Sequence, residues 1–467
     1  MAQFAGYYLF FLAFCLIVLM VWQHRRGVVE LVSIRNMAIL GFIVFQLTSA
    51  ALRLTSSEFG LMKISSPDST GVTYALMATV FLPLALLSYK VAPGVRAPAR
   101  LLARRKAEAG DGFLLLLAAL LTAAALVMRF GVLIPYVAIY TNLVGVGFAA
   151  VACGLGGWVW ARRFSNPMVL LTLLLLVAVN GAIVMWGEFG RRNLVAVSAA
   201  VIWGMYYSAW RYMSGWKLLV RATAIGAIPL VFIALFTSVR TSADGGRNVV
   251  DHLIAMKDGS VIEGTALLLE GQATGTVSLW CIENFPENYE YDHLFTIQYF
   301  FILPIPRAIW ETKPTPLSTK VASRANVRGV DQGKVTLPAG ILGNAAAEGG
   351  WYALIIYALI SGVFLRFFDE LIRQNPWSPF VVLPVGCQLG QVLGLARGET
   401  ALFANTYVLA FIGVWITMSL TAKLLDAMGV SRDAGAFADA GEEQNWTAYG
   451  DEAWLAAQGE QSGDHAA

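Results

Sequence analysis

Eleven apolar runs, nearly all long enough to cross a bilayer, leave this chain few folds to choose from. A helix needs about 20 mostly apolar residues to cross about 30 Å of hydrocarbon. The runs fall at about 4–22, 37–54, 71–91, 113–130, 134–160, 167–187, 193–210, 218–238, 345–366, 378–396 and 401–421. They predict an all-α polytopic membrane protein with about 11 transmembrane helices and one long extracytoplasmic loop containing short helices. Composition agrees: 57% of residues are apolar and 13% charged, with mean hydropathy +0.63. Soluble domains run at about 45–50% and about 25%. That balance excludes a soluble enzyme, a disordered chain and a nucleic-acid binder. A net charge of +3 names no partner.

The first run is too apolar to ignore and too poorly flanked to be a cleaved leader. Nothing basic precedes it, no small-residue cleavage site follows, and His24-Arg25-Arg26 lie after it. It is expected to be a retained helix entering from outside.

Orientation follows from Lys and Arg in short loops. One set of alternate loops holds Arg25, Arg26, Arg35, Lys90, Arg96, Arg100, Arg104, Arg105, Lys106, Arg162, Arg163, Arg211, Lys217, Arg221, Arg366, Arg373, Lys423 and Arg432, eighteen in all. The other set's short loops hold six: Arg53, Lys63, Arg129, Arg191, Arg192 and Arg397. The first set is therefore expected in the cytoplasm, with the N-terminus outside and the C-terminus inside.

The expected regions are an eight-helix membrane region over 1–239, an extracytoplasmic loop over 240–336, a three-helix region over 337–422, and a disordered acidic cytoplasmic tail over 423–467. Within the loop, Phe295–Pro306 is apolar but too short to span and closes on two prolines, so it reads as re-entrant or interface-lying. Ile262–Leu279 mixes apolar residues with Glu263, Glu270 and Gln272 and suits an amphipathic helix on the membrane surface. The loop is expected to fold back onto the membrane. The four cysteines form no CxxC or Cys/His cluster, so no metal site is expected.

Charge beside spans carries the functional signal. On the expected outer face stand Glu188, Arg191 and Arg192, then Arg240, then Arg307, Trp310 and Lys313, then Glu348, and last Arg397 and Glu399. Singly, each has a plainer use: a snorkelling Arg or Lys, a helix-capping Glu, a surface His at 252 or 293. Together they suit an anion, because guanidinium binds phosphate through two parallel hydrogen bonds and stays charged. A diphosphate carried on a lipid sits at this depth. Trp310 and Tyr291 are placed to stack on sugars, or to anchor the interface as such aromatics ordinarily do.

Ile305-Pro-Arg-Ala-Ile-Trp-Glu-Thr-Lys-Pro314 resembles the I-P-R-x-x-W-x-x-K-P signature of Wzy-like oligosaccharide repeat-unit polymerases, the O-antigen polymerase family. Gly187–Leu194 resembles that family's Gly/Arg turn opening a mid-chain helix. Gly340–Gly350, with Glu348, resembles its Gly-rich stretch with an acidic residue. The resemblance covers about 187–400; the family's paired R-x(10)-G pattern is not found at Arg240, Arg307 or Arg328. It implies metal-independent, inverting glycosyl transfer, without a cofactor, at the outer face of a bacterial inner membrane. Donor and acceptor are glycans on polyprenyl diphosphate, and a chain-length regulator is a common companion.

On this reading Arg191, Arg192, Arg240, Arg307, Lys313 and Arg397 bind diphosphate, with Arg307 also acting on the leaving group. Glu348 is the first candidate base, and Glu399, Glu188 and His293 are alternatives. The rival readings are an O-antigen ligase, a metal-dependent transferase (ranked lower, since residues 55–70 hold only Glu58 and Asp68), and a transporter or flippase of polysaccharide precursors.

Overall fold

The computed structural model describes residues 1–467 apart from 61, 93, 104–106, 133–136, 187–190, 214, 241–253, 271–273, 326–335, 429–431 and 434–467. At a few further positions, 191, 192 and 240 among them, only the backbone is described. Among the described residues nine helices are long and apolar enough to cross a membrane: Ala2–Arg25, Ile34–Ser56, Pro67–Val91, Asp111–Gly131, Tyr140–Arg162, Pro167–Met185, Trp216–Val239, Trp351–Gln374 and Thr400–Ala427. The protein is an α-helical multi-pass membrane protein.

The two remaining runs are shorter apolar helices, Asn193–Ser208 and Pro379–Gly394. The second is broken into Pro379–Val385 and Leu389–Gly394. A broken helix leaves carbonyls that lipid cannot satisfy, so the protein must. Trp203 Nε1 donates to Val382 O at 2.9 Å and Tyr407 OH to Val385 O at 2.9 Å.

Side-chain bonds sort the helix ends into two groups, as alternate crossing requires. At one end, Asp369 caps the start of Ile34–Ser56 through the Ile34 and Arg35 amides at 2.7 and 3.1 Å, and accepts Tyr89 OH at 2.8 Å. Arg163 meets Asp111 there at 2.6 Å, and Glu30 meets Tyr206 OH. A two-residue antiparallel bridge joins Ala107–Glu108 to Arg432–Asp433. This is the tail end. At the opposite, loop end, the Met1 ammonium meets Asp68 at 3.1 Å, and Glu283 accepts the Ser65 and Ser66 amides.

Three expectations need correction. The span expected at 345–366 starts at Trp351, because Gly350 at φ +61° ends a separate helix, Gly340–Gly349. A backbone of that sign favours glycine. The amphipathic surface helix expected over 262–279 is two helices, Val261–Glu270 and Thr274–Asn284. The second is no surface helix: every residue from Thr274 to Cys281 is buried. The last span runs on to Ala427, beyond the expected 421. The expected disordered tail, from 434 on, lies outside the described residues.

Thr274–Asn284 and Gly340–Gly349 pack side by side as two half-length helices within the bundle. Their first residues lie deep. The Gly275 amide donates to Ser49 Oγ at 3.2 Å, and Gln46 Nε2 donates to Ala396 O at 2.6 Å beside Ala339. Gln46 is ten residues before Ser56, about 15 Å along the helix. Its Oε1 accepts Tyr74 OH at 2.6 Å and Ser278 Oγ at 3.3 Å, and Ser278 Oγ also donates to Ala339 O. One buried amide thereby ties together a span and two half-helices. Ten or eleven residues reach about 15 Å, half the hydrocarbon, which is why hydropathy over a span-length window passes over them.

Candidate functional site

The loop end is organised around the short helix Phe295–Ile302, which packs on Thr400–Ala427. Its start has no local cap. Glu348, fully buried, supplies one from across the chain: its carboxylate accepts the Thr296 amide and the Thr296 hydroxyl, both at 2.6 Å, and the Tyr357 hydroxyl. The cap is reciprocal. His293 and Leu294 turn through the left-handed region, so that the Asp292 and Leu294 amides reach Ala347 O and Glu348 O at 3.1 and 3.2 Å. Those carbonyls lie in the last turn of Gly340–Gly349, where intrahelical donors run out. Burial pushes the Glu348 carboxyl up to about 7, outweighing the three donors, and Glu399 adds to the rise.

Asn344 extends the network, donating to Thr296 Oγ1 at 3.3 Å and to Thr400 Oγ1 at 3.4 Å. Beside Thr400 lies Glu399, 4% exposed. Its Oε2 accepts the Ser318 amide at 2.9 Å, and its Oε1 has no hydrogen-bond partner among the described residues. Burial pushes this carboxyl up as well, opposed by the Ser318 bonds and by Lys320.

The 303–314 segment closes on itself. Lys313 Nζ donates to Leu303 O and Ile305 O, both at 2.8 Å, and Arg307 donates to Lys313 O at 3.1 Å. Trp310 Nε1 reaches Thr312 Oγ1 at 3.0 Å. The spaced Arg, Trp and Lys of this stretch thus hold one turn, which leaves Arg307 exposed at its edge. Burial and Arg307 lower the Lys313 ammonium. Tyr299 responds to both signs of charge: burial raises its hydroxyl, Glu399 adds to this, and Arg307 opposes it.

Of the residues expected to share a site, Arg307 bonds Lys313, whose ammonium lies 6.0 Å from the Tyr299 ring, and the charges of Arg307 and Glu399 both act on the Tyr299 hydroxyl. Glu348, His293 and Tyr291 form a second group. His293 Nδ1 meets Tyr352 OH at 2.7 Å, that hydroxyl donates to Glu348 O at 2.9 Å, and the Tyr291 ring packs 6.2 Å from His293. The Phe295–Ile302 helix and Asn344 join the two groups. Arg397 is half-buried, with its guanidinium 5.6 Å from the Phe45 ring and its carbonyl accepting Thr274 Oγ1. Glu188 lies outside the described residues. Arg191 opens one helix and Arg240 closes another, but their side chains and that of Arg192 lie outside the described residues too.

Sequence reasoning missed two cations and their partner. Asp292 bridges Lys320 at 2.7 Å and Arg324 at 2.8 Å, with Lys320 3.9 Å over the Phe295 ring. The four-residue spacing of Lys320 and Arg324, on one face of Leu317–Ala325, was the available signal. Among the described residues no three His, Cys, Asp or Glu side chains gather as metal ligands would. No family profile, curated protein or solved structure matches this chain.

Proposed function

We propose that the chain is a multi-pass glycosyltransferase of the bacterial inner membrane, polymerising glycan repeat units carried on polyprenyl diphosphate. Donor and acceptor glycans enter at the loop end, which in this reading is the extracytoplasmic face. The N-terminus is then outside and the C-terminus cytoplasmic, as the eighteen-to-six bias of short-loop cations requires. The shorter helices Asn193–Ser208 and Pro379–Gly394 complete eleven crossings. The observation that carries the reading is the closed turn from Leu303 to Lys313, in which the polymerase-like signature residues hold one another and project Arg307.

The chemistry follows from charge. The acceptor hydroxyl attacks the anomeric carbon with inversion, and polyprenyl diphosphate departs with the bonding electrons. Arg307 stabilises the negative charge on the leaving diphosphate, and Lys313, with two of its donors on carbonyls, adds one more. Arg191, Arg192, Arg240 and Arg397 are further diphosphate ligands in this scheme. The hydroxyl's proton needs an acceptor within hydrogen-bond reach. Glu399 takes that role ahead of Glu348, because one of its oxygens has no hydrogen-bond partner among the described residues whereas Glu348 accepts three donors. Glu348 instead fixes the helix that carries Tyr299. Tyr291 and Trp310 stack on the sugars, and a chain-length regulator is the expected protein partner.

The test is to delete the gene and size the surface glycan. A polymerase leaves single repeat units attached; a ligase leaves none, and that result would overturn the proposal. A second reading, a precursor transporter, is favoured by the two half-helices starting near Gln46 and by the break between Val385 and Leu389, since interrupted helices frame transporter sites. It predicts unpolymerised lipid-linked units trapped on the cytoplasmic leaflet.

A further inference from the structure

The tail end carries an exposed basic face with no partner among the described residues. The short helix Arg96–Leu102 packs on Trp351–Gln374. Val95, Ala99 and Ala103, spaced by four, are buried against it. One position further round, Arg96 and Arg100 are therefore exposed, with Leu101 beside them at 65% exposure. Three other cations at this end are matched: Arg163 by Asp111, Arg366 by Glu370, Arg211 by Glu30. No ion pair among the described residues involves Lys90, Arg96 or Arg100, and in sequence 90–106 holds six cations and no acid.

The chain's most acidic stretch starts close by. The bridge pairs Ala107 with Asp433 and Glu108 with Arg432, so Asp433, next to that stretch in sequence, is held a few residues past the helix. Residues 434–467 hold seven Asp and Glu and no Lys or Arg. Asp451-Glu-Ala-Trp-Leu455 also sets two acids beside two large apolar residues, complementing Arg96, Arg100 and Leu101. A segment tethered this close meets the face at about millimolar effective concentration.

We propose that the acidic segment 434–467 docks onto the Arg96/Arg100 face of the same chain, shielding it from anionic lipid headgroups. The inference is independent of the glycosyl-transfer reading, and its test reads a distance rather than an activity. The full chain carries spin labels at Ala97→Cys and Ala457→Cys, with the partly exposed Cys15 replaced by Ser, in nanodiscs of phosphatidylcholine. The expected result at low ionic strength is a short-distance population. It disappears in about 1 M salt, where the screening length is about 3 Å. It disappears equally in Arg96→Glu/Arg100→Glu, whose changes are exposed and whose fold is checked by helicity and monodispersity. Weakening of that population by phosphatidylglycerol supports competition for the same face. A broad distribution, the same in wild type, high salt and the double variant, overturns the proposal. So does a face that binds phosphatidylglycerol while the tail never approaches it.

Discussion

Glu348→Ala removes the acceptor for three buried donors at once: the Thr296 amide, the Thr296 hydroxyl and the Tyr357 hydroxyl. A buried donor left unsatisfied costs about 1–3 kcal/mol. Because a hydroxyl can swing to another acceptor while an amide cannot, the sum is about 3–6 kcal/mol, against a total stability of about 5–15 kcal/mol. Glu348→Gln keeps one acceptor oxygen but turns an NH2 toward donors, for about 1–3 kcal/mol. Tyr357→Phe removes one donor and leaves the other two bonds, for about 1 kcal/mol. The assay is thermal unfolding in detergent at pH 8, followed by tryptophan fluorescence and by the monodisperse fraction surviving heating. The expected order of destabilisation is Tyr357→Phe, then Glu348→Gln, then Glu348→Ala. Wild-type melting of Glu348→Ala would refute the claim that this carboxylate caps the Phe295–Ile302 helix. So would Tyr357→Phe costing as much as Glu348→Ala.

The same carboxyl gives a pH signature. Burial raises it from the ordinary 4.5 to about 7, so between those values the folded protein holds a proton that the unfolded chain gives up. Its contribution is full below about 4.5 and lost as pH rises through about 7, about 3 kcal/mol over the window; a denaturation series in which Glu348→Gln shows the same slope as wild type would contradict it. Lys313→Met removes both bonds that close the 303–314 turn, and should make that loop cleavable under limited proteolysis while the spans stay intact. Gln46→Leu removes one acceptor each from Tyr74 and Ser278 and the donor from Ala396 O, so the yield of folded protein should fall severalfold, measured by size exclusion. A Cβ at Gly264 would overlap the Ala234 carbonyl, so Gly264→Val should displace Val261–Glu270 and expose it to a water-soluble cysteine reagent in an Ala255→Cys background.

The spans were legible because twenty apolar residues have few other places to go. Nine of the eleven expected runs are span-length helices here, with bounds shifted by a few residues. The half-helices were not legible as such. Over 262–279 the acids and Gln272 read as a surface, yet Ser278 and Thr274 of the second helix face other backbone within the bundle. Polarity that serves buried backbone looks the same in sequence as polarity that serves water. The 303–314 turn was visible as a pattern, but the closure of Lys313 onto Leu303 and Ile305 was not, since Lys names a charge and not its partner. Glu348 stood out as an acid among glycines. That both its oxygens were committed to Thr296 and Tyr357 depended on a contact 52 residues away in sequence.

The central claim is that Arg307 meets the diphosphate of a lipid-linked glycan. It is tested most directly by purified protein in nanodiscs supplied with polyprenyl-diphosphate-linked repeat units, comparing wild type, Arg307→Lys and Arg307→Ala at matched thermal stability. The expected result is a ladder of polymer from wild type, a shortened one from Arg307→Lys, and single units from Arg307→Ala. A wild-type ladder from Arg307→Ala would contradict it.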